Sequence, residues 1–206
     1  MIEHLIYAAA WLSFAVGHSV LTMPVGRRGL LAFAGRWERL VYNALSVAHL
    51  GAVFGIGVWV LGDEAAFDRP LFALIPMVAL QVAGLITLLA AMRRYDGRRF
   101  LGFDAFGLRP ARAAALEPEP LQTGGLNAYV RHPLYFAGLL LLWGSAGSPL
   151  SLATAIWATL YLYIGARFEE RKLSQLYGAA YDAYRASVPM MVPWRGRAWP
   201  EKPAAE

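Results

Sequence analysis

The sequence predicts an all-α polytopic membrane protein with about five transmembrane helices, its N-terminus outside and its C-terminus cytoplasmic. Three observations carry this reading. Hydrophobic residues fill 58% of the 206 positions and charged residues only 16%, where a soluble domain carries about a quarter charged residues. The apolar residues gather into runs near the roughly 20 residues a helix needs to cross a bilayer. The basic residues gather between those runs, in the loops that alternation places on one side. The net charge of +5 therefore marks membrane topology and not a nucleic-acid partner. The chain holds no cysteine, which removes disulfides, thiolate metal sites and a cysteine nucleophile. Residues 1–206 read as a single membrane domain.

Leu5 to Met23 forms the first span, ended by Pro24 and by Arg27 and Arg28. It lacks a basic leader and a small-residue cleavage site, so it reads as a retained anchor and not a signal peptide. Gly29 to Leu40 mixes apolar and basic residues, as a loop lying along the membrane surface would. Val41 to Leu61 is the second span. Its Gly51, Gly55 and Gly57 sit inside an apolar run and not between a strand and a helix, which argues against a nucleotide loop. Gly51 and Gly55 are expected to permit close helix packing. Leu71 to Met92 is the third span, with Pro76 near its start.

Residues 93–206 form the second part of the domain: a basic cytoplasmic loop, a helical hairpin and a C-terminal helix. The stretch 109–120 reads as a flexible loop. Pro133 to Trp143 is apolar but short, and ends in the breaker-rich GSAGSP of residues 144–149. Pro133 suits a first helical turn, where its missing N–H is not needed. Leu150 to Phe168 returns. The first arm is too short to span comfortably alone and must tilt or lean on its neighbours.

The charges fix the layout. Arg27, Arg28, Arg36 and Arg39 follow the first span. Arg93, Arg94, Arg98, Arg99, Arg109, Arg112 and Arg131 follow the third. Arg167, Arg171, Lys172, Arg185, Arg195, Arg197 and Lys202 follow the fifth. Five alternating spans put all of these on one face, and leave Glu3, Asp63, Glu64, Asp68 and Arg69 on the other. The basic face is the cytoplasmic one.

Chemistry concentrates at the two inner ends of the hairpin. YVRHPLYFAG (residues 129–138) sets Arg131, His132 and Pro133 at a helix entrance, where orphan N–H groups and the dipole favour an anion. His132 and Tyr135 are three apart and share a face. The same residues also suit a plain membrane boundary: a basic anchor, an interfacial histidine and a belt tyrosine. On the returning arm, RFEERKL places Glu169 and Glu170 opposite them, because the turn makes the arms antiparallel. Carboxylates at a helix C-terminus oppose its dipole, so a compensating group is expected. Arg167, Arg171 and Lys172 could supply it locally; alternatively, one glutamate binds a cation or ribose hydroxyls. Leu173, Tyr177, Tyr181 and Tyr184 recur at helical spacing and form one aromatic face able to cover such a site. His18 and His49, inside spans, are functional candidates by position. They could ligate a haem, or could be neutral histidines hydrogen-bonded between helices.

Leu121 to Gly138, then Glu169 and Glu170, then Leu173 to Trp194, resemble the integral-membrane methyltransferases that include isoprenylcysteine carboxyl methyltransferase and phosphatidylethanolamine N-methyltransferase. Leu126 departs from the aromatic residue often found in the lead. The N-terminal WLSFAVGHSVLTMPVGRR and RWERLVYNALSV resemble bacterial methanethiol S-methyltransferases and NnrU-like proteins. The resemblance implies S-adenosylmethionine as cofactor and S-adenosylhomocysteine as product. It implies cofactor contacts from His132, Pro133, Tyr135, Gly138, Glu169 and Glu170, with Tyr177 and Tyr181 closing the pocket. Arg131 and His132 would be the catalytic pair: Arg131 would hold the cofactor carboxylate or orient the acceptor, and either residue could favour an acceptor thiolate. No metal is called for. The implied acceptor is small or lipophilic and reached from the membrane lipids, a thiol before a prenylcysteine carboxylate or a lipid amine. The implied place is a bacterial inner membrane, with the site facing the cytoplasm. A haem-binding NnrU-like protein without methyltransferase activity is the alternative.

Overall fold

A computed structural model describes residues 1–23, 26, 29, 31–93 and 120–199. Pro24, Arg27, Arg28, Arg94, Arg98, Arg99, Arg109, Arg112, Lys202 and all but the last residue of the loop expected at 109–120 lie outside the described residues. Among the described residues there are six α-helices and no strand: α1 (Ile2–Thr22), α2 (Glu38–Leu61), α3 (Leu71–Met92), α4 (Pro133–Gly144), α5 (Pro149–Tyr177) and α6 (Ala179–Ser187). Of these, α1, α2, α3 and α5 are long and apolar enough to cross a membrane, and α4 is the shorter apolar arm. Their outward surfaces carry large apolar side chains such as Leu5, Val47, Trp59 and Ile75, as lipid-facing helices do. The chain is a polytopic α-helical membrane protein.

The described residues divide into two compact units. The first contains α1, α2 and residues 148–153 at the start of α5. Tyr7, Trp11 and Phe14 stack edge to face along α1 and are buried. The close approach falls at Gly57, where an added Cβ would lie 2.6 Å from the Tyr7 ring and 2.9 Å from Leu150. The packing expected at Gly51 and Gly55 is absent, since nothing lies within 4 Å of a Cβ at either. Those two glycines point outward, and periodicity alone does not say which glycine of a run faces the partner. The approach to α2 is a 3-10 turn, Ala32–Trp37, kinked at Gly35 (φ 50°). At the start of α5, Ser148 Oγ accepts the Ser151 N–H at 3.2 Å, capping the helix ahead of Pro149.

The second unit holds α3, α4, the remainder of α5, α6 and the C-terminal segment. The short arm leans on its neighbour as its length requires. Small residues let α3 and α4 meet at backbone distance: a Cβ on Gly84 would sit 3.0 Å from the Leu141 amide, and one on Gly144 2.8 Å from the Met77 carbonyl. Gln81 donates to the Gly144 carbonyl at 3.0 Å, and Arg69 to the Gly147 carbonyl at 3.1 Å. These bonds fasten the hairpin turn, whose carbonyls would otherwise lack helical partners.

The other end departs from expectation. Helix α5 does not stop near Phe168 but continues to Tyr177. It breaks at Gly178, whose φ of 56° is a conformation that side-chain-bearing residues rarely adopt. The tyrosine face is therefore split, with Leu173 and Tyr177 on α5 and Tyr181 and Tyr184 on α6. The bend folds α6 back, so all four meet in one small core with Val188, Leu121, Ala198 and Trp199.

Candidate active site

The site lies within the second unit, where α4 begins and α5 passes. A 3-10 turn at Gly125–Ala128 leads into it. Asn127 Nδ2 donates to the Arg131 carbonyl at 3.1 Å, and the Tyr184 hydroxyl donates to the Asn127 carbonyl at 2.6 Å. The chain then meets the C-terminal segment backbone to backbone: the Arg131 N–H donates to the Pro189 carbonyl at 2.9 Å and the His132 N–H to the Met190 carbonyl at 3.1 Å. Pro133 opens α4, with His132 as its N-cap.

Held this way, Arg131 points at α5. Its Nε donates to Glu170 Oε1 at 2.6 Å, and its Nη2 forms an ion pair with the same oxygen at 2.6 Å. Its Nη1 donates to the carbonyls of Arg185, at 2.8 Å, and Val188. The two side chains are only 8% and 3% exposed. A buried ion pair is tolerable where such additional hydrogen bonds satisfy the charge. The Arg185 carbonyl lies in the last turn of α6, where the helix dipole also favours a cation.

The compensating group for Glu170 is thus a distant arginine and not the local basic residues; Arg171 lies over the Phe168 ring instead, 5.3 Å from its centroid. Nor do the glutamates end their helix, since α5 runs on to Tyr177. Successive residues on a helix are about 100° apart, so the acidic pair divides. Glu170 turns inward, while the Glu169 side chain is 48% exposed and its Oε2 accepts the Tyr135 hydroxyl at 3.1 Å. The His132 ring stacks on Tyr135, centroids 5.1 Å apart and planes 6° from parallel. His132 Nδ1 lies 3.7 Å from Glu169 Oε2, and Nε2 3.4 Å from Glu170 Oε1.

Two buried polar atoms here have no hydrogen-bond partner among the described residues: His132 Nε2, which lacks alignment with Glu170, and the Tyr181 hydroxyl. Burial, and then the charge of Glu170, push the Tyr181 phenol above its ordinary pKa, so it stays a neutral donor. Buried polar atoms are normally satisfied. Two orphans beside one carboxylate, with half-exposed Glu169 next to them, fit a ligand bearing hydroxyls and charge. Gly138, one turn beyond Tyr135, is half-buried and crowded by nothing, since Leu162 lies 3.8 Å from an added Cβ. Tyr177 packs on the tyrosine core. The carbonyls of Arg185 and Val188 and the Asn127–Tyr184 link were not evident from single residues, because backbone acceptors leave no side-chain signature.

The histidines of the first unit make a separate group. His18 Nε2 bonds with the Tyr42 hydroxyl, and His49 Nε2 lies 3.1 Å from Ser13 Oγ. Phe14 packs on both rings, at 5.4 and 5.5 Å. This is the pattern of histidines hydrogen-bonded between two helices, and haem ligation would require both to give up their hydroxyl partners.

Residues 72–180 match the model of the phospholipid methyltransferase family. The chain belongs to that family. Methanethiol S-methyltransferase 2 of Bradyrhizobium diazoefficiens is 30% identical over 192 residues, covering 87% of this chain and 69% of that protein. The methanethiol S-methyltransferase of Crocosphaera subtropica is 36% identical over 100 residues, covering 46% and 39%. That of Mycobacterium tuberculosis is 34% identical over 101 residues, covering 46% and 41%. The alignments to these last two span less than half of their length. No solved structure matches the chain. The chain is a membrane methyltransferase, and the hairpin mouth is its candidate active site.

Proposed function

We propose that this methyltransferase uses S-adenosylmethionine to methylate a small thiol, with methanethiol as the first acceptor ahead of a prenylcysteine carboxylate or a lipid amine. The site faces the cytoplasm of a bacterial inner membrane in this reading, which the one-sided arginine and lysine bias supports. The thiol preference is supported by the names of the relatives. The observation that carries the proposal is the buried Arg131–Glu170 clamp, which sets His132, Tyr135 and Glu169 around unsatisfied polar atoms.

Each residue has a role in this reading. Arg131 is committed to Glu170 and two carbonyls, so it positions rather than reads the ligand. Glu170 holds the far edge of His132 in place. Glu169, half in water, accepts hydrogen bonds from ribose hydroxyls, and Tyr135 orients it. Pro133 and Gly138 shape the α4 wall, while Tyr177 and Tyr181 close the α6 side, Tyr181 as a neutral donor. Bound S-adenosylmethionine supplies a sulfonium methyl group, leaving S-adenosylhomocysteine. The chain must hold the acceptor in line and favour its thiolate. His132 Nε2 faces Glu170, so Nδ1, on the side of half-exposed Glu169, is the nitrogen placed to take the thiol proton, with Glu170 stabilising the imidazolium from the other edge. Orientation alone can contribute several kcal/mol of rate acceleration.

The test is thermal unfolding of purified protein with S-adenosylhomocysteine, followed by transfer of a labelled methyl group to methanethiol, prenylcysteine analogues and phosphatidylethanolamine. Ligand at a hundredfold excess over Kd should stabilise by about 2.7 kcal/mol. Glu169→Gln and His132→Ala should reduce this, and dimethyl sulfide should be the leading product. No stabilisation at saturation, together with a Soret band in the purified protein, would instead favour the haem alternative. Methylation of the amine lipid alone would refute the thiol preference.

A further inference from the structure

The C-terminal segment of the second unit forms a loop that the methyl-transfer reading does not use. Both of its ends are tied to the segment leading into α4. The His132 N–H donates to the Met190 carbonyl at 3.1 Å, and the N–H groups of Ala198 and Trp199 donate to the Ala128 carbonyl at 2.9 and 3.3 Å. Residues 191–197 between these ties make a compact loop with closed ends. A third tie runs to α6. Arg195 Nη1 donates to the carbonyls of Ala186 and Ser187, at 3.1 and 3.3 Å, where the end of the helix dipole favours a cation. Gly196, at φ 66°, turns the chain back.

Fastened in this way, the loop turns apolar side chains outward. Met191 is buried, but Val192 is 53% exposed and Trp194 is 69% exposed. The Arg195 guanidinium lies over the indole of Trp194, 4.4 Å from the ring centroid. The arginine that caps α6 thus also holds the tryptophan in its outward position. An ordered indole and an exposed valine side by side call for an apolar partner.

The height of the loop identifies that partner. Residues 128–132, to which it is tied, end where the apolar α4 begins at Pro133. The loop therefore lies where α4 enters the bilayer. Other aromatic side chains mark the same level. Tyr129 is exposed within the tied segment itself. Phe168 is exposed on α5 with Arg171 over its ring at 5.3 Å, beside the Glu170 that pairs with Arg131. Exposed aromatic rings with arginines on them are the composition of a membrane–water boundary. The loop backbone also suits a place poor in water. Pro193 has no N–H to satisfy, the Trp194 N–H donates to the Val192 carbonyl at 2.9 Å, and the Gly196 N–H donates to the Pro193 carbonyl at 3.4 Å.

We propose that residues 191–197 are an interfacial anchor, with Val192 and Trp194 seated in the outermost hydrocarbon of the bilayer. Its partner is the apolar edge of the lipid layer and not a particular headgroup, because Arg195 is committed to α6. The carbonyls of Pro189 and Met190 at the foot of the loop hold the amides of Arg131 and His132, so the anchor sets the depth of the hairpin mouth. Nothing in this inference depends on the methyl donor or the acceptor.

The experiment is spin labelling of the full chain in phosphatidylcholine vesicles. The sequence has no cysteine, so Val192→Cys and Trp194→Cys, made separately, each carry one nitroxide. Relaxation is read with oxygen, which concentrates in hydrocarbon, and with a water-soluble nickel chelate. Oxygen is expected to act more strongly than nickel at both positions, as at the lipid-facing control Ile164→Cys. Stronger relaxation by nickel at either loop position puts the loop in water and overturns the proposal. Shielding from both reagents puts it against protein, such as a second copy of the chain, and overturns it as well. Photolabelling of the unmodified protein guards against a variant that fails to fold. A phospholipid with a diazirine near the glycerol end of its acyl chain should mark the peptide holding Val192 and Trp194, and labelling confined to the helices overturns the proposal.

Discussion

Replacing Arg131 by Met tests the central pair most directly. The substitution keeps the bulk of the side chain but removes a guanidinium that makes two 2.6 Å contacts to Glu170 and caps the carbonyls of Arg185 and Val188. With both side chains under a tenth exposed, solvent screening offers little relief, and the glutamate is left buried without its partner. Breaking such a pair costs about 3–5 kcal/mol, or roughly 10 °C in melting temperature for a protein of this size. Removing both charges, as Arg131→Met with Glu170→Leu, should recover most of that loss, because an apolar replacement of a buried pair is often nearly neutral. A double-mutant cycle by denaturant unfolding in mixed micelles should therefore give a coupling of at least about 3 kcal/mol, since each single variant strands a buried charge and the double variant strands none. Trp199, edge-on to Tyr184 at 5.4 Å, provides a local fluorescence reporter. A single-variant loss below about 1 kcal/mol, or a coupling near zero, would place the pair in the class of weak solvated ion pairs and refute the reasoning.

Other expectations follow from the same geometry. Tyr181→Phe removes a hydroxyl with no partner, so the free protein should keep or gain stability while the Kd for S-adenosylhomocysteine rises; calorimetry reads the second and melting the first. The raised Tyr181 pKa implies stability that is fully present below the ordinary phenol value of about 10 and lost as pH rises above it, since only the unfolded phenol then ionises; Tyr181→Phe should flatten that limb of the stability profile. Tyr135→Phe deletes the bond to Glu169 and should weaken the same ligand by about 1 kcal/mol, roughly fivefold. Gly178→Ala meets no neighbour within 4 Å but must adopt φ 56° and ψ −135°, so its cost should be purely conformational, towards the upper end of about 1–3 kcal/mol.

The spans were legible in the sequence because burial in lipid demands long uninterrupted apolar runs, and no soluble core imposes that length. The convergence of Arg131 with Glu170 was legible for a similar reason: the breakers at 144–149 leave the two arms little choice but to run antiparallel. What stayed hidden depends on helix phase and on backbone. Gly51, Gly55 and Gly57 differ only in which side of α2 they occupy, and only Gly57 meets a neighbour. Glu169 and Glu170 look equivalent in sequence, yet one is buried against a guanidinium and the other half-exposed. The helix break at Gly178 interrupts a tyrosine spacing that reads as continuous, and the acceptors that fix Arg131 are main-chain carbonyls, which any residue could supply.

The two carbonyls that hold Arg131 belong to residues 54 and 57 positions further along the chain, and its amide pairs with Pro189. During synthesis the hairpin leaves the ribosome ahead of those partners. Until then a guanidinium and a carboxylate are present without the ring of oxygens that makes them tolerable together. A chain cut shortly before Pro189 should therefore keep its apolar helices in the membrane and yet be catalytically silent.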